Sequence, residues 1–299
     1  MKYVIITPAR NEEKSIRATI ESVISQYILP EKWVIVSDAS TDNTDAIIKQ
    51  YLKTCKFIHF IRKDVRKESG FASKVSAFNI GYKAMSGVEY SFIGNLDADI
   101  SFGPAYFERV LKEFKYNPKL GISGGRVYEN INSRFHKRKS SSSSVAGAVQ
   151  MFRKQCYDQI GGYIPLANGG IDAAAEIIAR SKGWQVKTIM DLPVLHAGRV
   201  LTGSGNLLRR KFNQGATHYQ LGYSWSFEVI RQFYRITDSP FLLSTLARLS
   251  GFFWAYFKKK EIVLPTEAAR YFRREQALRL KKLNPIALLY RKQSGLAKI

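Results

Sequence analysis

Cysteine is scarce. Cys55 and Cys156 are the only two in the chain, and neither has a C-x-x-C partner. That excludes a disulfide framework and a thiolate metal site, and it fits a reducing compartment. Acid is scarce as well, with 24 Asp and Glu against 47 Lys and Arg, a net charge of +23. Phosphate-bearing partners are therefore expected: nucleotides, nucleic acid or anionic lipid. No export signal opens the sequence, since the strand-like Tyr3 to Thr7 is too short for a signal-peptide core and Pro8 ends it. No apolar run has the ~20 residues that a spanning helix needs. The longest, Phe241 to Phe257, carries Arg248 at its middle. The expected location is cytoplasmic, peripheral on the membrane's cytoplasmic face rather than through it.

Apolar residues make up 45% of the chain and charged residues 24%, which excludes a disordered chain. At 299 residues the chain can bury one sizeable domain with an appendage. The charge is unevenly spread. Residues 201–299 hold 18 basic and 5 acidic side chains, while the first 200 hold 29 and 19. A boundary near residue 200, between domains 1–200 and 201–299, follows from this shift.

The first 100 residues alternate short apolar runs with helix-period stretches, the pattern of βαβ units and a mainly parallel sheet flanked by helices. Tyr3–Thr7, Lys32–Val36, Phe57–Ile61 and Tyr90–Leu96 read as strands. Ile16, Ile20, Val23, Ile24 and Tyr27 fall on one helical stripe. Asp42 or Thr44 is placed to cap a helix running to about Leu52. Residues 62–72 read as a loop before a helix from about Ser73 to Met85, and residues 130–144 as a basic, serine-rich loop. Further on come a strand around Ala148–Phe152, a Gly161-Gly162 turn, a helix from about Asp172 to Lys182, and two short strands, Val186–Ile189 and Pro193–Leu195.

The chemistry gathers at strand ends. Asp97-Ala98-Asp99 follows the strand ending at Leu96, at the carboxyl edge where open α/β sheets bind ligands. Two acids one residue apart can share a hard cation such as Mg²⁺ or Mn²⁺ with diphosphate oxygens. Solvated acids at a strand end are the competing reading, and the other strand ends supply the context. Thr7-Pro8-Ala9-Arg10-Asn11-Glu12-Glu13 closes the first strand, Ser37-Asp38-Ala39-Ser40-Thr41-Asp42 the second, and Ala72-Ser73-Lys74 with Asn79 follows the third.

This ordered set, over roughly residues 3–200, resembles the family 2 glycosyltransferases of the GT-A fold. Members show a P-x-x-N-E start, a D-D-x-S-x-D second turn, a G-K-x-x-A-x-N helix and a D-x-D fourth turn. The resemblance implies that Pro8, Ala9, Arg10, Glu12, Asp38, Lys74 and Asp97 bind a nucleotide-diphosphate sugar. It implies too that Asp99 ligates a divalent metal, Mn²⁺ or Mg²⁺. Ser37 replaces the first acid of the second motif, and Ser73 replaces the glycine beside Lys74. Read singly, Arg10 and Glu12 make a solvated pair, Asp38 a turn former and Lys74 a surface charge.

In the second half, Gly161-Gly162-Tyr163 precedes Asp172 and Gly183-Trp184. This is similar to the family's acceptor side, where an aspartate in an E-D motif is the catalytic base; here Ile171 stands in the glutamate's place. Asp172 is thus a candidate base or, alternatively, a helix cap. His196 falls where some members place a histidine near the metal. In residues 241–257, Ser244, Arg248, Gly251 and Ala255 share one helical stripe with Leu, Phe and Trp around the rest, as expected of a helix in a bilayer interface. In residues 270–283, Arg and Lys mingle with Tyr271, Phe272, Leu278, Leu280 and Leu283, and packing of the tail against the catalytic domain is the alternative.

The expectation is an inverting transferase acting on a hydroxyl acceptor in glycan or polysaccharide biosynthesis, with a helical basic extension and a glycan or lipid-linked acceptor. A polyprenyl-phosphate sugar synthase on the same fold is the alternative. A basic nucleic-acid-binding protein explains the charge but not the acidic strand ends. A nicotinamide dehydrogenase is disfavoured because Pro8-Ala9-Arg10 stands where G-x-G-x-x-G belongs.

Overall fold

The computed structural model describes residues 1–65, 68, 70–131, 134–137, 141–197, 207–236 and 241–283. The chain divides into two compact units, Met1–Gly203 and Ser204–Ile299. The boundary expected near residue 200 lies outside the described residues.

The first unit opens with β1 (Tyr3–Ala9), α1 (Ile16–Ile24), β2 (Lys32–Asp38), α2 (Thr44–Tyr51), β3 (Ile58–Lys63), α3 (Gly70–Lys83) and β4 (Phe92–Asn95). β3, β2, β1 and β4 lie side by side and parallel, so their carboxyl ends share one edge. All of β1 except Pro8 is buried, as in a sheet covered on both faces. Ile16, Ile20 and Val23 of α1 are fully buried, each contributing roughly 1.5–3 kcal/mol. Tyr27, expected on the same stripe, is 70% exposed: α1 ends at Ile24, and the Tyr27 N–H bonds instead to the Pro104 carbonyl.

β5 (Ile100–Ser101), α4 (Tyr106–Tyr116), β6 (Leu120–Ile131), β7 (Arg134–Lys137), β8 (Met151–Arg153), α5 (Lys154–Ile160), α6 (Ile171–Ser181) and β9 (Gln185–His196) complete the unit. Among the described residues the sheet runs β3-β2-β1-β4-β8-β6-β9-β5, with β7 on β6. Beyond β4 it becomes mixed, because β8 is antiparallel to both β4 and β6.

Several local expectations change. Val186–Ile189 and Pro193–Leu195 form one strand, because Ile189 pairs with Gly125 and Pro193 with Arg126, so the intervening residues bulge without ending the ladder. Part of the 130–144 loop is β7, an edge strand with every side chain exposed; its polar character is that of a solvated edge. The 62–72 stretch keeps strand pairing to Lys63 and becomes helical at Gly70; residues 66, 67 and 69 lie outside the described set.

The second unit holds α7 (Leu207–Gln220), α8 (Trp225–Phe233), α9 (Leu243–Phe257) and α10 (Thr266–Leu283). No described helix is long and apolar enough to cross a membrane. α9 is oriented against expectation. Ser244, Thr245, Arg248, Gly251, Phe252 and Ala255 face inward, whereas an ordinary interfacial helix turns its polar stripe to water. The cause is close packing on α7: a Cβ at Gly251 would run into the Phe212 carbonyl, and one at Gly215 into that of Arg248.

Candidate active site

Two loops at the carboxyl edge of β1 and β2 are laced into one surface. Arg10 Nη1 donates to the Asp38 carbonyl at 2.6 Å. The Glu12 N–H donates to Thr44 Oγ1 at 2.7 Å, the Glu13 N–H to Asp42 Oδ2 at 3.1 Å, and the Thr41 N–H to Asn11 Oδ1 at 2.8 Å. Asn11 and Ala39 take positive φ, 51° and 53°. For Ala39 this left-handed conformation costs roughly 1–2 kcal/mol, sustained by the surrounding bonds. The residue before α2, Asn43, makes no side-chain cap bond, and Asp42 supplies one from a position earlier, at the Thr44 N–H that opens the helix. Its carboxylate accepts from both the Thr44 and Glu13 N–H groups, and these bonds draw its pKa below the usual value against the opposing effect of burial.

Asp38 is buried at the end of β2. Ser73 Oγ donates to Asp38 Oδ2, and Lys63 Nζ lies 3.1 Å from Oδ1. The serine in the usual glycine position thus has a role of its own, since its hydroxyl orients the aspartate. Lys63 was missed from sequence because its partner lies 25 positions away, on the neighbouring strand. Ser37 is also fully buried, with its hydroxyl bonded to Ser40; a carboxylate there would be desolvated.

Asp97 and Asp99 leave β4 as expected. Lys74, in the first turns of α3, donates to Asp97 Oδ1. His196 ends β9 opposite Ile100, which brings its Nε2 to 3.2 Å from Asp99 Oδ2. The hydrogen bond to Asp99 holds the imidazole pKa above its ordinary value, against the lowering effect of burial. One ligand atom from each of Asp97, Asp99 and His196 lies within 4.8 Å of the others. Two carboxylates and an imidazole suit a borderline-hard divalent ion, and the group fits such a metal. Gly198 and Arg199, which follow His196 in its motif, lie outside the described residues.

Asp172 sits in the first turn of α6, two residues after the N-cap, which is Gly170 at φ 90°. Asp172 is therefore not the N-cap residue itself, although its Oδ1 accepts from the Ala173 N–H of that first turn at 2.9 Å. Its Oδ2 accepts from the Gly147 N–H at 3.2 Å. The Gly147 carbonyl accepts from Asn95 Nδ2, and the Ala148 carbonyl accepts from the Asp97 N–H at 2.9 Å. Adjacent residues of one loop thus touch Asp172 and the D-x-D segment. Gly147 leaves room there, since a Cβ would lie 3.1 Å from Asp172 side-chain atoms and press on the carboxylate.

Behind Asp172 lies a cluster with no local motif. Glu176, 2% exposed, accepts from the Val145 N–H at 2.6 Å. Tyr163 donates to Gln150 Oε1 at 2.8 Å, and Gln150 Nε2 donates to the Val145 carbonyl at 3.3 Å. Burial first, and the charge of Asp172 second, push the Glu176 carboxyl up to about 7 against the pull of Arg180. The spacing of Asp172 and Glu176, one turn apart on α6, was the available signal.

Comparison with known proteins supplies the family and the fold. The family model for glycosyl transferase family 2 matches residues 4–170. The poly-beta-1,6-N-acetyl-D-glucosamine synthase of Staphylococcus epidermidis is 28% identical over 170 residues, covering 50% of this chain and 39% of that protein. The chain thus spans well under half of that curated relative. Among solved structures, S. aureus TarS in complex with UDP-GlcNAc superposes with a TM-score of 0.56 at 13% identity, over 86% of this chain and 73% of that one. The mannosyltransferase PcManGT from Pyrobaculum calidifontis, with GDP-Man and Mn²⁺, gives 0.55 at 16%, over 93% and 80%. At these identities the superpositions establish the fold, GT-A, rather than the ligand. With more than half of the chain matched and the matched loops converging on one sheet edge, the protein belongs to glycosyl transferase family 2.

Proposed function

We propose that the chain transfers a sugar, with inversion, from a nucleotide-diphosphate donor to a hydroxyl acceptor in glycan or polysaccharide synthesis. The observation that carries this reading is the Gly147–Ala148 segment, which ties Asp172 to the strand end bearing Asp97 and Asp99. Pro8, Ala9, Arg10, Glu12, Asp38 and Lys74 form the donor side, with Asp97 beside the sugar. Arg10 fixes the Asp38 backbone, and Ser73 and Lys63 fix its carboxylate for a base N–H.

Asp99 and His196, adjoining Asp97, would hold a divalent cation. When bound, it supplies positive charge to offset the departing diphosphate. Asp172 takes the proton of the acceptor hydroxyl as its oxygen attacks the anomeric carbon, and the Gly147 N–H keeps the carboxylate aimed. Lys74 adds a cation on the leaving-group side.

The relatives' names and ligands support a UDP- or GDP-linked sugar donor and a glycan acceptor, a lipid-linked acceptor being the alternative. The basic second unit supports a site of action at an anionic membrane surface, on its cytoplasmic face. The test is thermal stabilisation and hydrolysis with UDP-GlcNAc and GDP-mannose, each with and without Mn²⁺. Saturating donor at about 100 times its Kd adds roughly 2.7 kcal/mol to the native state. No metal-dependent shift or hydrolysis with any nucleotide sugar would remove the reading.

A further inference from the structure

We propose that the outward face of α9, centred on Leu246, Trp254 and Phe257, is the surface that seats the chain on an anionic bilayer, with Lys258, Lys259 and Lys260 on the lipid phosphates. The proposal deepens the membrane reading above and rests on it.

Leu246, Trp254 and Phe257 are 50%, 42% and 76% exposed. At 100° per residue they lie within one arc, opposite the buried Ser244, Arg248, Gly251 and Ala255. This inversion is locked in place. Arg248, 1% exposed, donates to Gln232 Oε1 at 2.8 Å and to Gln214 Oε1 at 3.2 Å. Gln232 Nε2 in turn donates to the fully buried Glu228 at 2.6 Å. Rotating α9 to bury its aromatic face would strand these polar groups and pull Gly251 off the α7 backbone. The apolar face is therefore held outward by the helix's own core.

Charge selects the occupant. α9 carries no acidic residue, and its one cation is buried. The three exposed lysines follow at its end, and Lys260 Nζ lies 5.3 Å from the centre of the Trp254 ring. An aromatic and aliphatic face ending in lysines matches the acyl boundary and headgroups of an anionic membrane. A second copy packed in parallel would bring two such lysine clusters together, and an antiparallel copy would leave both without an anionic partner, since α9 offers no carboxylate. At 15 residues the helix is long enough to lie in the interface and too short to span it.

The test uses the full chain and vesicles of phosphatidylcholine, alone and mixed with phosphatidylglycerol. Wild type should sediment with the mixed vesicles. Leu246→Gln, Trp254→Gln and Phe257→Gln combined should weaken that binding at least tenfold with unchanged circular dichroism. Lys258→Gln, Lys259→Gln and Lys260→Gln combined should lose most of the preference for the anionic lipid and its salt sensitivity. Brominated lipid should quench wild type more than Trp254→Phe, a readout that holds even if the triple apolar variant misfolds. Wild type that ignores every vesicle overturns the membrane reading itself. Wild type that binds while the apolar variant binds equally, or with no Trp254-dependent quenching, overturns this face and leaves the membrane reading standing. A wild-type dimer that the apolar variant turns into a monomer, without vesicle binding, assigns the face to a second copy.

Discussion

In the first unit the fully buried side chains of β1, β2 and α1 are chiefly Ile, Val, Tyr and Trp33, and the chemically active polar groups stand at strand ends. In the second unit Arg248, Glu228 and Gln232 are 1% exposed or less, while Leu246, Trp254 and Phe257 face outward. Charged residues near the sheet edge are thus placed for chemistry, with the fold resting on apolar packing beneath them. In the helical unit they share the core with Leu221, Phe252, Leu264 and Phe272, while part of the apolar surface of α9 is left for whatever the unit meets. Removing a polar group should therefore cost turnover in one region and stability in the other.

The largest effect is expected from Asp99→Ala. It removes a carboxylate from the group that fits a divalent ion and should abolish turnover and metal-dependent donor binding while the melting temperature barely moves. Full activity would detach the metal from this strand end. Asp172→Asn comes next. Asparagine keeps an oxygen for the Gly147 N–H, so donor binding and stability should persist, while kcat falls by about 10²–10⁴, the usual contribution of a general base. Near-normal turnover on a hydroxyl acceptor would move the base elsewhere and favour a lipid-phosphate acceptor, which needs none.

Glu228→Ala should show the reverse pattern. It strips the partner from His218 Nδ1 at 2.9 Å and from Arg231 at 3.4 Å, and takes the acceptor from Gln232 Nε2. Breaking a buried charged network by removing one member costs about 3–5 kcal/mol. Calorimetry should show a lowered transition, whereas Trp254→Gln on the outer face, which loses only a partly buried ring beside Phe212, should cost less, about 1–1.5 kcal/mol. Equal melting of both variants would dissolve the contrast between the two units.

The donor-side loops were legible because each motif is local: a strand, then a short run whose residues stand together at one sheet edge. Lys74 meets Asp97 at the edge shared by the parallel strands, and His196 reaches Asp99 through the antiparallel pairing of β9 with β5. Lys63 and Glu176 were not legible, since Lys63 finds Asp38 through the register of two strands and Glu176 finds Val145 across 31 positions. Nor was β6 legible, because its Ser123-Gly124-Gly125 interior lacks the β-branched signature of a strand; the glycines are there because a Cβ at Gly124 would meet the Val149 carbonyl. In α9 the periodicity separated two stripes correctly but could not say which faces inward. Buried partners for Arg248 and close approach at Gly251 decide that, and both lie on other helices.

Glu176 is the exception that sharpens the comparison, a polar group of the first unit placed in the core rather than at the edge. Its pKa, raised from 4.5 to about 7 chiefly by burial, means that folding favours the protonated form. The stability this contributes is fully present below the unfolded value and is lost as pH rises through the folded one, here between about 4.5 and 7. In Glu176→Gln the amide has the shape of the protonated acid and can still accept from the Val145 N–H, but it never ionises. Wild type and Glu176→Gln should therefore melt alike near pH 4, below the unfolded value. At pH 8 the variant should be the more stable by about 1–3 kcal/mol, given roughly 1.4 kcal/mol for each pH unit separating the folded and unfolded pKa values and some relief from Arg180. For a domain of this size that is several degrees in melting temperature. Parallel melting curves at both pH values would mean that Arg180 and the loop N–H groups already carry the ionised carboxylate without penalty, and would return Glu176 to the ordinary rule of the first unit.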